Sequence, residues 1–181
     1  MARTFQNIRL FGELSVLDNV KLACHVRAKQ TMAGAILRTA FARREEAAQT
    51  QQAMELLEVF DLANRADEPA RSLPYGDQRR LEIARALATK PKVLLLDEPA
   101  AGMNPQEKKE LRELIRRVRE QFNVTVLLIE HDMGLVMEIC EVITVLDHGQ
   151  VISVGPPEHV QKDPKVVEAY LGIAEEGAGH G

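Results

Sequence analysis

Two adjacent carboxylates, Asp97 and Glu98, follow directly on the apolar run Val93 to Leu96. In a parallel sheet ligands gather at the carboxyl ends of strands, so a buried strand ending in two carboxylates suits hydrolysis of a magnesium-bound phosphoanhydride. One carboxylate would hold the metal, and the next would orient or deprotonate the attacking water. The plainer reading is a strand that leaves the core into solvent through two acidic residues, and the pair alone leaves both equally open. A second apolar run, Val124 to Ile129, ends in Glu130-His131-Asp132 and brings an imidazole to the same edge of the sheet. A lone histidine in such a place is more often structural than catalytic.

The elements that must position these groups divide the chain. Residues 16–89 are rich in Ala, Leu, Glu, Gln and Arg and read as helical, with no alternating strand pattern. Asp18 is placed to cap a helix from Asn19 to Val26, and Glu45 to Phe60 keeps Met54, Leu57 and Phe60 at helical spacing. Beyond Pro91, Val93 to Leu96, Val124 to Ile129, Val142 to Leu146 and Val151 to Val154 are short β-branched or leucine runs, expected to be mostly buried strands. Between the first two lies the best-specified helix, with Asn104 as N-cap, Pro105 at its first position and Glu107 three residues past the cap. Its apolar stripe of Leu111, Leu114, Ile115, Val118 and Phe122 predicts packing on a sheet. Strand, helix, strand, helix, strand in this order implies an α/β fold with a parallel sheet flanked by helices, and Asp147-His148-Gly149-Gln150 then turns a hairpin.

Composition narrows the function classes. The 181 residues are 45% hydrophobic and 28% charged, the profile of a soluble globular domain. A net charge of −4 argues against a nucleic-acid partner held by phosphate neutralisation. Cys24 and Cys140 stand far apart and form neither a disulfide framework nor a zinc motif. No apolar run approaches the ~18 residues of a membrane span, and no secretory signal opens the chain, so a cytoplasmic location is expected.

Taken together, the motifs resemble those of ATP-binding-cassette (ABC) transporter ATPase subunits over nearly the whole chain. Thr4-Phe5-Gln6 resembles that family's Q-loop, and Leu73-Pro74-Tyr75-Gly76-Asp77 followed by Gln78-Arg79-Arg80 resembles its signature. Val93 to Pro99 resembles the Walker B strand, Ala100 to Pro105 the D-loop, and His131 the switch histidine. The segments around Gln6, the signature and Ala100-Ala101-Gly102-Met103-Asn104-Pro105 look most like the branched-chain amino-acid importers. The resemblance implies a P-loop NTPase fold divided into a Q-loop segment (1–15), a helical subdomain ending in the signature (16–89), a RecA-like core (90–155) and a C-terminal helix with a flexible tail (156–181). It also implies ATP and Mg2+ as ligands, a second ATPase subunit and transmembrane permease subunits as partners, and a place on the inner face of the cell membrane.

Residue roles carry over in the same way. The resemblance implies that Asp97 holds Mg2+ through water, that Glu98 is the general base, and that His131 contacts the γ-phosphate. Gln6 would sense the metal and the attacking water. In the signature, Leu73, Tyr75, Gly76 and Asp77 would face the nucleotide of the opposite subunit, Gly76 through a helix-terminal N–H with no side chain in the way. Gly102 and Asn104 would lie across the same interface, although Asn104 also has its local capping role. By resemblance the helical subdomain docks on the permease, and Arg38, Arg43 and Arg44 interleave there with Ile36, Leu37 and Phe41.

The chain departs from the family at several points. Pro74 stands where the signature has serine, removing a hydroxyl and a backbone N–H. Tyr75 replaces a glycine, and Asp77 a glutamine. None of the eleven glycines is followed by lysine, so the Gly-x-x-x-x-Gly-Lys phosphate-binding loop is missing and the fold is expected to be incomplete, cut before the Q-loop. The strand carrying that loop lies, in the resembled fold, between those matching Val124 to Ile129 and Val142 to Leu146. Its loss is expected to expose unpaired strand edges and leave the isolated chain poorly soluble and without ATPase activity. The alternative to an ATPase subunit is a catalytically inert interaction module that offers its signature face to a complete partner.

Overall fold

The computed structural model describes residues 1–4, 9–25 and 40–171. Gln6, Arg38, Ile36, Leu37 and the tail beyond residue 171 lie outside the described residues, as does the side chain of Phe41. The chain forms two compact units, Met1–Ile129 and Glu130–Gly181.

The first unit is built on a parallel sheet of β1 (Ala2–Arg3), β2 (Val93–Asp97) and β3 (Thr125–Ile129), in the order β1-β2-β3. Leu94, Leu95 and Leu96 of β2 are buried, as an apolar run with strands on both sides requires. β3 corrects the expectation of burial: among the described residues only β2 pairs with it, and Leu127 and Ile129 are 53% and 48% exposed. Its side chains alternate between two faces, and an apolar composition cannot tell which face is covered.

Helices fill the rest of this unit. α1 (Val16–His25) begins at Ser15, whose hydroxyl accepts the Asp18 N–H at 3.0 Å. Ser15 is therefore the cap, not Asp18, which sits inside the first turn where its charge suits the helix dipole. α2 (Ala40–Val59) buries Ala53, Leu56 and Leu57, and Phe60 just beyond it is fully buried. Two short 3-10 turns, Ala63–Arg65 and Ala70–Ser72, lead into α3 (Tyr75–Ala88). α1 packs against both α2 and α3, with Val16, Val20, Leu57, Leu62 and Leu81 at zero exposure.

α4 (Pro105–Phe122) carries the expected capping box. Asn104 Oδ1 accepts the Glu107 N–H at 3.0 Å, and Glu107 Oε2 accepts the Asn104 N–H at 2.8 Å. Its stripe of Leu111, Leu114, Ile115 and Val118 is buried, and Asn123 ends it in the left-handed conformation at φ 47°. Asn104→Ala removes the side-chain half of this exchange, leaves the backbone N–H to Glu107 in place, and is expected to cost about 1 kcal/mol of stability by chemical denaturation.

The second unit contains α5 (Met133–Ile139) and a hairpin of β4 (Ile143–Asp147) and β5 (Gln150–Gly155). His148 and Gly149 turn it with φ of 45° and 79°, the positive values a tight two-residue hairpin needs. β4 is expected from its place in the sequence to belong to the parallel sheet, but among the described residues it pairs only with β5, and antiparallel. Both strands are half-exposed rather than buried, with Leu146, Val151 and Val154 outward. Pro157 and Pro164 each open a separate short helix, α6 (Pro157–Val160) and α7 (Pro164–Val166), followed by a π turn at Val167–Leu171. Tyr170 ties this end to the hairpin by donating its hydroxyl to the Leu146 carbonyl at 2.7 Å.

Candidate functional site

The carboxyl end of β2 is assembled from two distant segments. β1 runs parallel to β2 with Arg3 opposite Leu95, and the Thr4 N–H continues the ladder to the Leu95 carbonyl at 2.9 Å. Thr4 is fully buried, and its hydroxyl accepts the Asp97 N–H at 3.5 Å. Gln6 itself is not among the described residues.

Asp97 closes β2 with its carboxylate 18% exposed and ion-paired to Arg3, Nη2 to Oδ2, at 2.8 Å. Glu98 then turns the chain at φ 44°, a left-handed conformation that costs a non-glycine residue about 1 kcal/mol or more. The turn is held on both sides: the Glu98 N–H donates to the Ile129 carbonyl at 2.8 Å, and the Glu98 carbonyl accepts from the Ala101 N–H at 3.2 Å. Strained backbone maintained by its surroundings at a carboxylate pair fits a group whose position matters more than its local comfort.

The signature segment lies at the start of α3. Leu73 is buried, Pro74 is the N-cap without a side-chain cap bond, and Gly76 sits in the first turn, as expected of a residue meant to present its backbone. Gln78 Nε2 returns to the Leu73 carbonyl at 2.9 Å, and Asp77 lies 3.7 Å from Arg65. Tyr75 reaches the D-loop: a Cβ on Gly102 would stand 3.7 Å from its Cε1, and Gly102 has φ 74°. Gly76 faces Glu107 at the head of α4, around a cavity of about 80 Å³ that includes Asp77, Arg80 and Met103. That space is far below the several hundred Å³ of a typical small-molecule pocket, so the signature and D-loop make a surface, not a nucleotide pocket. Asn104 commits its Oδ1 to the Glu107 N–H, its own N–H to Glu107 Oε2 and its carbonyl to the Lys108 N–H, so the side-chain Nδ2 group is the part of it that stands outside the capping box.

A larger groove of about 400 Å³ opens between β1, α1 and α3, lined by Arg3, Phe11, Leu22, Glu82 and Arg85. Phe11 is 55% exposed there, with the Arg85 guanidinium 5.4 Å from its ring centre.

In the second unit His131 precedes α5 with its side chain 72% exposed. The neighbouring Glu130 is buried and was missed by sequence reasoning. Its Oε2 accepts the N–H groups of His131 at 3.1 Å and Asp132 at 3.4 Å, and Asp132 caps α5 through the Leu135 N–H. The imidazole is thus carried on a backbone that a buried carboxylate fixes. Arg3 was missed as well, since nothing in the sequence ties it to Asp97. The two thiols are unsuited to nucleophilic work: burial pushes both Cys24 and Cys140 above the ordinary range.

A divalent cation fits the end of β2 in chemistry. Asp97 and Glu98 offer hard oxygen donors, and Mg2+ is commonly held by one or two carboxylates with phosphate oxygens and water completing the shell. No group of three ligating side chains exists among the described residues, so the remaining ligands would have to be of that kind.

Comparison with known proteins adds an independent measure. Residues 1–101 match the ABC transporter family model, and residues 150–176 match that of the branched-chain amino acid ATP-binding cassette transporters. The chain is 47% identical over 174 residues to the high-affinity branched-chain amino acid transport ATP-binding protein LivG of Escherichia coli K12, covering 96% of this chain and 68% of that protein. Among solved structures it resembles the ADP conformation of MJ1267, an ATP-binding cassette of an ABC transporter, with 30% identity, 94% of this chain and 68% of that one covered, and a TM-score of 0.75. It also resembles the dimeric post-hydrolysis state of the cassette MJ0796 bound to ADP and phosphate, at 25% identity, 86% and 62% coverage and a TM-score of 0.68.

Proposed function

We propose, from the premise that this chain belongs to the ABC transporter family, that it is the ATP-binding and ATP-hydrolysing subunit of an importer of branched-chain amino acids. The observation that carries the solute class is the separate match of residues 150–176 to the branched-chain cassette family, alongside 47% identity to LivG. The energy of ATP hydrolysis would be passed to membrane-spanning permease subunits, on the inner face of the cell membrane. Among the described residues no helix is long and apolar enough to cross a membrane.

Within this reading each site residue has a defined task. Mg2+, when bound with ATP, neutralises charge developing on the transferred phosphoryl group. Asp97 would hold it, with Gln6 as a second contact. Glu98 accepts the proton of the attacking water from a backbone that cannot swing away. His131 steadies the terminal phosphate, oriented by Glu130. Leu73, Tyr75, Gly76, Asp77, Gly102 and Asn104 face the nucleotide of a second ATPase subunit, the helix start of α3 contributing its N–H groups. The helical subdomain docks on the permease.

Uptake tests the proposal. The chain, extended at its N-terminus by the family's phosphate-binding segment, is expressed with the permease subunits in cells that lack their own ATPase subunit for this solute class. Radiolabelled leucine is expected to accumulate in an ATP-dependent manner. Normal ATP turnover without leucine uptake would overturn the solute assignment. Failure of the extended chain to bind ATP at equilibrium would instead favour the inert interaction module.

A further inference from the structure

We propose that Tyr75 is a positioning residue that clamps the D-loop of its own chain, so that the signature segment and residues 100–104 present a single preset surface. The clamp has three parts. The Tyr75 ring lies over Gly102, with Cε1 at 3.7 Å and Cζ at 4.0 Å from where a Cβ would stand. Its hydroxyl accepts from Arg79 Nη2 at 3.3 Å, and the Arg79 guanidinium lies 6.0 Å from the ring centre. Arg79 is itself fixed by Glu82, Nη1 to Oε2 at 2.7 Å, with side chains 0% and 3% exposed.

Each part has a physical reason. Tyr75 is 45% exposed, so burial alone does not hold its ring in place; a buried cation supplies the anchor. Gly102 has two reasons to be glycine, its φ of 74° and the ring above it. The loop on the other side of that ring is a chain of tight turns, Ala101 N–H to Glu98 carbonyl at 3.2 Å and Met103 N–H to Ala100 carbonyl at 3.2 Å. Such turns have few contacts of their own and open readily unless something packs on them. A tyrosine in place of the family's signature glycine provides that packing. In its consequence for function the inference rests on the reading given above. A D-loop ordered in advance loses less conformational entropy when a second subunit docks on it.

Hydrogen exchange on the intact chain, without nucleotide, tests the clamp whether or not the chain hydrolyses ATP. Tyr75→Gly is expected to speed exchange in the peptide containing the Ala101 and Met103 amides by roughly tenfold, while the amides of α4 keep their protection. Tyr75→Phe retains the ring and is expected to stay close to the parent. Tyr75→Ala, which preserves helix propensity at the start of α3, has to match Tyr75→Gly, and covers the case in which the glycine variant unfolds. Unchanged D-loop protection in Tyr75→Ala overturns the proposal, as does an equal rise in exchange across α4, which would mark a general loss of structure.

Discussion

Glu98→Gln, in the chain extended by the phosphate-binding segment, is expected to lower steady-state phosphate release by about a hundredfold or more while nucleotide still binds. Glutamine keeps the size of the side chain and removes its capacity to take a proton. The surrounding geometry makes this a clean experiment. Glu98 is held at φ 44° by its N–H on Ile129 and its carbonyl on Ala101, both backbone bonds that the substitution leaves in place. Asp97→Asn is less clean, because it also disrupts the ion pair with Arg3, and a loss there would have two causes. Near-normal turnover of Glu98→Gln in a phosphate-release assay would remove Glu98 from the mechanism and leave the water to another base.

How much of this was legible in the sequence depends on how local each cause is. The capping box of α4 could be read because Asn104, Pro105 and Glu107 act within one turn. The same local logic should have favoured Ser15 over Asp18 at α1, since Ser15 and Asp18 have the spacing in which a hydroxyl reaches the third amide. β1 was not readable: two residues carry no pattern, and what makes Ala2 and Arg3 a strand is the ladder of β2 some ninety residues away. The apolar runs identified β3, β4 and β5 as strands but not their exposure, which depends on what packs beside them. At the site, Asp97, Glu98, Gly76 and Gly102 fall where their motifs imply, at a strand end, a helix start and a turn with positive φ. The contacts that organise them, Arg3 on Asp97, Tyr75 on Gly102 and Glu130 under His131, come from folding and left no mark in spacing. Arg79 is the sharpest case. Nothing in Gln78-Arg79-Arg80 marks it out from its neighbours, yet it lies on the inner face of α3 with Glu82, Ile83 and Leu87.

That burial sets up the largest stability effect expected in the molecule. Arg79→Met leaves Glu82, 3% exposed in its side chain, without its close ionic partner, and breaking a buried pair from one side costs about 3 to 5 kcal/mol. Domains of this size hold only about 5 to 15 kcal/mol in total, so the variant should be largely unfolded in mild urea. Replacing both partners, Arg79→Met with Glu82→Leu, removes the stranded charge and fills the space with apolar volume. Such exchanges are often neutral or stabilising, because two ions no longer have to be stripped of water. Urea titrations followed by circular dichroism should therefore place the double variant near the parent and the single variant far below it. Equal destabilisation of both would mean that the pair is held for a specific geometry and not merely for charge balance. A single variant as stable as the parent would show that the remaining neighbours of Glu82, the Arg85 charge among them, compensate the carboxylate without Arg79.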